Sequence, residues 1–287
     1  MEKKFHHTLK MDNVTLRVKN LQKMSLFYQE IIGLTLLWEK DNQVALGVTE
    51  NNQPLLILDQ TEEYHLLTGP RNGLYHIAFL LPSRADLGDV LLRWLQDEIN
   101  IPGASDHGYS EALYIQDPED NGVEIYADKN SQEWNRDDHD RVIGVTDPMD
   151  AQGVFDARHT DRQAKFPAGT IVGHLHMAHH DSQAYAQFLK EDLGMALQTA
   201  MAGGYWMSYD RYHHHIAVNN WNANHMPNYS NKATGLAAYS LRYFDQKIYE
   251  QVVESLDASG RITERQEDAI VAKDPNGVEV KLLLEKK

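Results

Sequence analysis

The feature that most constrains this chain is that it repeats itself. Val18 to Leu34 reads as a strand end, a short turn and an amphipathic helix closed by Gly33. His180 to Met195 carries the same design and closes at Gly194. A second echo joins Asp117-Pro118-Glu119-Asp120-Asn121-Gly122-Val123-Glu124-Ile125-Tyr126 to Asp274-Pro275-Asn276-Gly277-Val278-Glu279-Val280, each a turn opening an alternating strand. The separations are similar, 194 − 33 = 161 and 279 − 124 = 155, so the chain is an approximate duplication. Each half divides again, because Gly73-Leu74-Tyr75-His76-Ile77-Ala78-Phe79 and Gly235-Leu236-Ala237-Ala238-Tyr239-Ser240-Leu241 each begin a further strand and helix unit.

Four modules are therefore expected, at about 9–60, 72–129, 170–222 and 234–285, each a strand, a helix and then several strands. They group as 1–129 and 170–287, two modules each, around a connector at 130–169 that carries Trp134, Val142, Ile143, Val145 and Phe155. A length of 287 residues exceeds one comfortable core and suits this division. Strands outnumber helices in every module, which predicts an α+β fold with curved mixed sheets rather than a doubly wound parallel one.

Composition removes several function classes. Lys plus Arg total 27 against 42 Asp plus Glu, and 27 − 42 = −15, so phosphate backbones and anionic membranes are repelled and nucleic-acid binding is disfavoured. No apolar run is long enough to span a bilayer, and the start Met1-Glu2-Lys3-Lys4-Phe5-His6-His7 has no apolar signal core, which gives a cytoplasmic expectation. With no Cys, thiolate chemistry is excluded, and the 15 His and the carboxylates are left as strong metal ligands.

Four βαβββ modules with Asn-Gly-Val-Glu strands, Leu74-Tyr75-His76-Ile77-Ala78-Phe79 and Gly173-His174-Leu175-His176-Met177 resemble the vicinal-oxygen-chelate superfamily. Within it, the resemblance is greatest to extradiol ring-cleaving dioxygenases of the catechol 2,3-dioxygenase type, and it covers nearly the whole chain. The superfamily also contains glyoxalases and metal-free binding proteins, so the site has to decide.

Alternation sets Glu124 opposite to Val123 and Ile125, and His76 opposite to Tyr75 and Ile77. Taken singly, each also fits a solvent-facing residue on a half-buried strand. His174 lies 20 positions before Gly194, where the superfamily's first-strand ligand falls; the same count from Gly33 reaches Asn13. The resemblance thus implies a metal held by His76, His174 and Glu124, built from the second and third modules. Module four offers Ala238 and Val271 where a His and a Tyr would be expected. A rival site is His174, His214 and Glu279. Two His and one carboxylate suit Fe(II) best, while Mn, Zn or Ni also bind such donors.

The order His76, Asp106-His107-Gly108, Tyr114, Glu124 is similar to that of the extradiol enzymes, which implies that His107 and Tyr114 hydrogen-bond the substrate oxygens. Tyr114 is also compatible with a core position, and His107 with a turn. Tyr212-His213-His214-His215-Ile216-Ala217-Val218 is expected as the fourth strand of module three, with His214 on one face as acid–base His and His213 and His215 on the other. The same run also fits a merely polar strand. His176 is either a supporting neighbour of His174 or a competing ligand. Tyr205, Trp206, Tyr209 and Trp221 are candidates for an apolar pocket wall.

The implied partners are a small aromatic diol and O₂; a homo-oligomer is compatible with the sequence. Two other functions stand beside this one: a glyoxalase-like isomerase or lyase using Ni or Zn, which expects two carboxylate ligands, and a non-catalytic small-molecule-binding protein.

Overall fold

The computed structural model describes residues 5–49, 52–161, 163–222 and 225–286; Met1–Lys4, part of the start that guided the signal-peptide expectation, lie outside the described residues. The first unit comprises β1 (Leu9–Val18), α1 (Leu21–Leu26), a π-helical turn at Phe27–Ile32, β2 (Thr35–Lys40), β3 (Gln43–Gly47) and β4 (Pro54–Gln60). The second is β5 (Gly73–Leu81), α2 (Arg84–Gln96), β6 (Gly103–Asp106), β7 (Ser110–Gln116) and β8 (Gly122–Asp128). Between the halves lie β9 (Asp147–Pro148) and α3 (Ala151–Ala157). The third is β10 (Ile171–Ala178), α4 (Ser182–Glu191), β11 (Ala196–Met201), β12 (Gly204–Ser208) and β13 (Ile216–Asn219). The fourth is β14 (Gly235–Tyr243), α5 (Gln246–Ala258), β15 (Ile262–Arg265), β16 (Ile270–Lys273) and β17 (Glu279–Leu284).

Each unit's helix starts on a side-chain cap. Asn20, Ser83, Asp181 and Asp245 accept hydrogen bonds from the backbone N–H groups of Lys23, Asp86, Ala184 and Ile248, satisfying donors that a helix start leaves open.

The sheets do not follow the order of the chain. One has eight strands in the order β15-β16-β17-β14-β1-β4-β3-β2, and the other nine in the order β11-β12-β13-β10-β5-β8-β7-β6-β9. The first unit therefore shares a sheet with the fourth, and the second with the third. The seams are antiparallel pairings of β1 with β14 and of β5 with β10. A continuous apolar core runs through both sheets, from Leu16 and Met24 through Phe79 and Leu175 to Tyr239 and Leu282. Helices α2 and α4 pack on the nine-stranded sheet.

The Asp-Pro turns act as locks. The Tyr28 hydroxyl donates to Asp117 Oδ2 at 2.9 Å, and the Tyr185 hydroxyl to Asp274 Oδ2 at 2.6 Å. Both pairs are buried and tie a helix to a turn of the next unit. Asp117 Oδ1 accepts the backbone N–H of Asn121, and Asp274 Oδ1 that of Val278. Position 121 therefore corresponds to 278, and Glu124 corresponds to Lys281, since 124 + 157 = 281 and 117 + 157 = 274. Strand pairing agrees: Ala78 faces Glu124 across β5 and β8, as Ser240 faces Lys281 across β14 and β17. The shared letters Asn-Gly-Val-Glu are two residues out of register, because both turns close over the same number of residues, Asp117 on Asn121 and Asp274 on Val278, while the letters begin two positions earlier after Asp274. Among the described residues, no helix is long and apolar enough to cross a membrane.

Candidate metal centre

Three adjacent strands of the nine-stranded sheet converge on one point. Ala78 on β5 is flanked by His174 on β10 and by Glu124 on β8, and His76 lies two residues earlier on the same face. A small side chain at the centre leaves room between the donors. Gly122 brings β8 close to His76: a Cβ there would lie 2.3 Å from the Tyr75 carbonyl oxygen and 2.9 Å from His76 Cβ.

The donor atoms form a compact triangle. His76 Nε2 lies 2.9 Å from Glu124 Oε2, His174 Nε2 lies 3.3 Å from the same oxygen, and the two nitrogens are 3.3 Å apart. All three residues are buried. Ligands about 2.1 Å from one ion at right angles stand about 3.0 Å apart, so these donors fit a single first-row cation on one face. His174 Nδ1 is buried with no hydrogen-bond partner, so the polar contacts of this ring depend on Nε2. Burial opposes ionisation of Glu124, yet His174 and His76 hold its carboxyl well below the usual carboxylate range. Burial pulls His174 down to about 4 against the pull of Glu124, which leaves a neutral imidazole beside a carboxylate at neutral pH. Those are the protonation states that bind metal.

The neighbouring residues line one cavity of about 530 Å³ together with the triad. Tyr114 pairs with Glu124 across β7 and β8, and its hydroxyl lies 2.6 Å from His107 Nε2. His107 sits in the β6–β7 turn, and its Nδ1 lies 3.0 Å from the Val145 carbonyl oxygen. With Nδ1–H donating there, Nε2 accepts from the Tyr114 hydroxyl. Burial, and then the Glu124 charge, raise the Tyr114 phenol well above its ordinary value, so it is a neutral hydroxyl.

His214 also lines the cavity, with its ring centroid 4.0 Å from that of His174. Burial and then His174 push its imidazole well below the ordinary His value. The expected strand placement is corrected: β13 begins only at Ile216, and Tyr212–His215 form an irregular segment before it. The three His nevertheless separate. His215 Nε2 lies 3.2 Å from His6 Nδ1, away from the cavity, while His213 Nδ1 lies 2.7 Å from His214 Nδ1 and His213 Nε2 lies 3.1 Å from Asp128 Oδ1.

The rival trio is not assembled. Glu279 lies on β17 of the other sheet, where Lys273 Nζ is 3.1 Å from its carboxylate. At the positions that correspond to the triad, that sheet carries Asn13, Ala238 and Lys281, a set with no strong ligand. His176 shares the cavity but is engaged elsewhere, its Nε2 accepting from the Asn219 amide at 2.9 Å. Of the four aromatic candidates, Trp206 and Trp221 line the cavity, whereas Tyr205 and Tyr209 pack against the main core.

Sequence reasoning missed Asp128, Tyr109 and the connector's part. Tyr109 stacks on His213 at 4.2 Å and lines the cavity, and Gly144, Val145 and Thr146 of the connector supply one wall. Alternation hinted at Asp128, which shares a face of β8 with Glu124 and Tyr126.

A family model described as the Glyoxalase/Bleomycin resistance protein/Dioxygenase superfamily matches residues 5–125. The chain is 32% identical over 273 residues to a catechol-2,3-dioxygenase of Bacillus subtilis (strain 168), covering 94% of this chain and 95% of that protein. It is 27% identical over 134 residues to biphenyl-2,3-diol 1,2-dioxygenase 3 of Rhodococcus globerulus, covering 42% and 64% respectively. Among solved structures, glyoxalase I from Zea mays superposes with a TM-score of 0.58 at 17% identity, over 96% of this chain and 92% of that one, a likeness of fold.

Proposed function

Since this chain belongs to the Glyoxalase/Bleomycin resistance protein/Dioxygenase superfamily, we propose that it is an extradiol dioxygenase that opens a catechol-type ring with O₂ at a site of His76, His174 and Glu124. The observation that carries this reading is the buried triangle of two imidazole nitrogens and one carboxylate oxygen, 2.9–3.3 Å apart, facing a cavity that also holds Tyr114, His107 and His214.

Fe(II) is the metal best suited to two His and one carboxylate, and when bound it supplies open positions for both oxygens of the diol and for O₂. The protein's own groups do the rest. Tyr114, its O–H turned towards His107, presents oxygen lone pairs to a diol hydroxyl, and His107 is fixed by the Val145 carbonyl. His214 takes a proton from the diol and returns it later. With Asp128 ionised, His213 donates from Nε2 and accepts at Nδ1, so His214 carries its hydrogen on Nδ1 and offers Nε2 as the base. Asp128 and His213 are positioning residues, since neither lines the cavity.

A glyoxalase-like isomerase would use a second carboxylate, and none joins the triad among the described residues. The test is O₂ consumption by the Fe(II)-loaded protein with catechol. One O₂ per diol and a yellow ring-opened semialdehyde are expected; tightly held Zn or Ni without O₂ uptake contradicts the reading.

A further inference from the structure

His214 is carried by the segment 209–215 between β12 and β13, whose backbone belongs to no strand. The far end of that segment is tied to the sheet: the His215 N–H donates to the Met207 carbonyl, and the His215 carbonyl accepts from the Leu175 N–H. The near end reverses sharply at Asp210 and Arg211, each with a φ of 57°. Left-handed backbone costs free energy for a residue that has a Cβ, less for Asp than for Arg. Two such residues in succession persist only where their surroundings impose the conformation.

Two distant pieces of chain supply those surroundings. Ahead of β1, the Thr8 N–H and hydroxyl donate to Asp210 Oδ2 and Oδ1 at 2.9 and 2.5 Å, and His7 Nε2 lies 3.2 Å from Oδ1. From the connector, Arg136 donates to the Arg211 carbonyl at 3.1 Å, and Asp140 pairs with the Arg211 guanidinium. The same two pieces close over Tyr212, which is fully buried. Phe5 stacks on Trp134 at 4.8 Å and lies 5.6 Å from Tyr212, while His6 lies 4.7 Å from Tyr212 and 5.1 Å from His215, ring centroid to ring centroid. The Tyr212 ring is in turn 3.9 Å from that of His213, whose Nδ1 meets His214. Phe5, His6 and Thr8 are not among the residues that line the cavity.

We propose that the segment 5–8 positions His214: Thr8 fixes the reversal at Asp210, and Phe5 and His6 back Tyr212, so that the His214 imidazole is held beside His174. These are positioning residues, which act through the loop and do not touch the substrate. The consequence for turnover rests on the reading of His214 as the group that moves the diol's proton; the clamp on the loop does not. A displacement of about 1 Å in such a group costs on the order of a hundredfold in rate.

The test is the pair Phe5→Ala with Thr8→Val, set against the conservative pair Phe5→Tyr with Thr8→Ser, each made alone and together with His214→Phe, loaded with Fe(II) and assayed with catechol. The first pair should lower kcat about 10- to 100-fold, with KM within about twofold and iron per chain unchanged. The conservative pair should hold kcat within about threefold of the wild type. In the His214→Phe background the first pair should change kcat by less than about twofold, because its effect passes through that imidazole. A wild-type kcat, an equal loss in both backgrounds, or iron that falls in proportion to kcat overturns the proposal. Trypsin gives a readout without turnover, since the Arg211 side chain is 72% exposed. Cleavage after Arg211, relative to cleavage after the exposed Lys40, should be at least about tenfold faster in the first pair than in the wild type. Should no diol be turned over, the dioxygenase reading fails, and this ratio decides the clamp: a rise supports it, and an unchanged ratio overturns it.

Discussion

At the residue scale, the proposed centre divides into groups that hold metal and groups that handle the diol, and substitutions should separate them. Glu124→Gln removes the only anion of the triad, so iron per chain after Fe(II) loading should fall at least about tenfold. His214→Phe should leave the iron content unchanged and lower kcat by about 10²–10⁴. Asp128 adds a dependence on pH. Burial raises its carboxyl to about 7, against the pull of His6 and the Tyr212 hydroxyl. It is ionised above that pH and can then orient His213, so kcat should fall as pH drops through about 7. Asp128→Asn should lose that limb and lower kcat about 10- to 100-fold, measured as kcat against pH. His76, His174, Glu124, Tyr114, His107 and His214 could each be singled out from alternation, spacing and family resemblance. For Asp128 alternation gives the face but not the role, because its partner His213 is 85 positions away and no local pattern records that meeting.

At the element scale, the turns show how repeated letters mislead. Glu279 looked like the counterpart of Glu124, but register is set by turn geometry, and two turns that close at the same length put Lys281 at that position. The His213–His215 run was legible as chemistry yet misread as strand, because a continuous buried run next to a strand also occurs in irregular backbone. The lock between α4 and its turn makes a separate prediction. Burial pushes Asp274 up to about 6, although the Tyr185 hydroxyl and turn N–H groups pull the other way. Between about 4 and 6 the folded chain then binds more protons than the unfolded one, so this residue's contribution to stability is lost as pH rises across that window. Asp274→Asn should remove the slope and gain roughly 2–3 kcal/mol on the wild type between pH 4 and 6. Urea titrations of both proteins at several pH values check this; a constant difference contradicts it.

At the scale of the whole molecule, the duplication was legible because each unit carries its own strand, helix and turn signals. How the units pair was not, because the β1–β14 and β5–β10 seams join residues far apart in the chain. The expected association of the second and third modules came instead from where ligands were present. The connector was readable as a segment with scattered apolar residues that bridges the second and third modules, but not in its detail: β9 extends the nine-stranded sheet and Val145 fixes His107. Cutting the chain would expose four central strands as edges, so residues 1–129 expressed alone should aggregate, and co-expression with 130–287 should restore a soluble species, scored by size-exclusion chromatography.

The proposed metal centre in the nine-stranded sheet is tested most directly by metal analysis combined with catechol turnover after anaerobic Fe(II) loading. The wild type should hold one iron per chain and give yellow product, and His76→Ala should lose both. A His76→Ala protein that keeps its iron and its turnover would place the centre elsewhere.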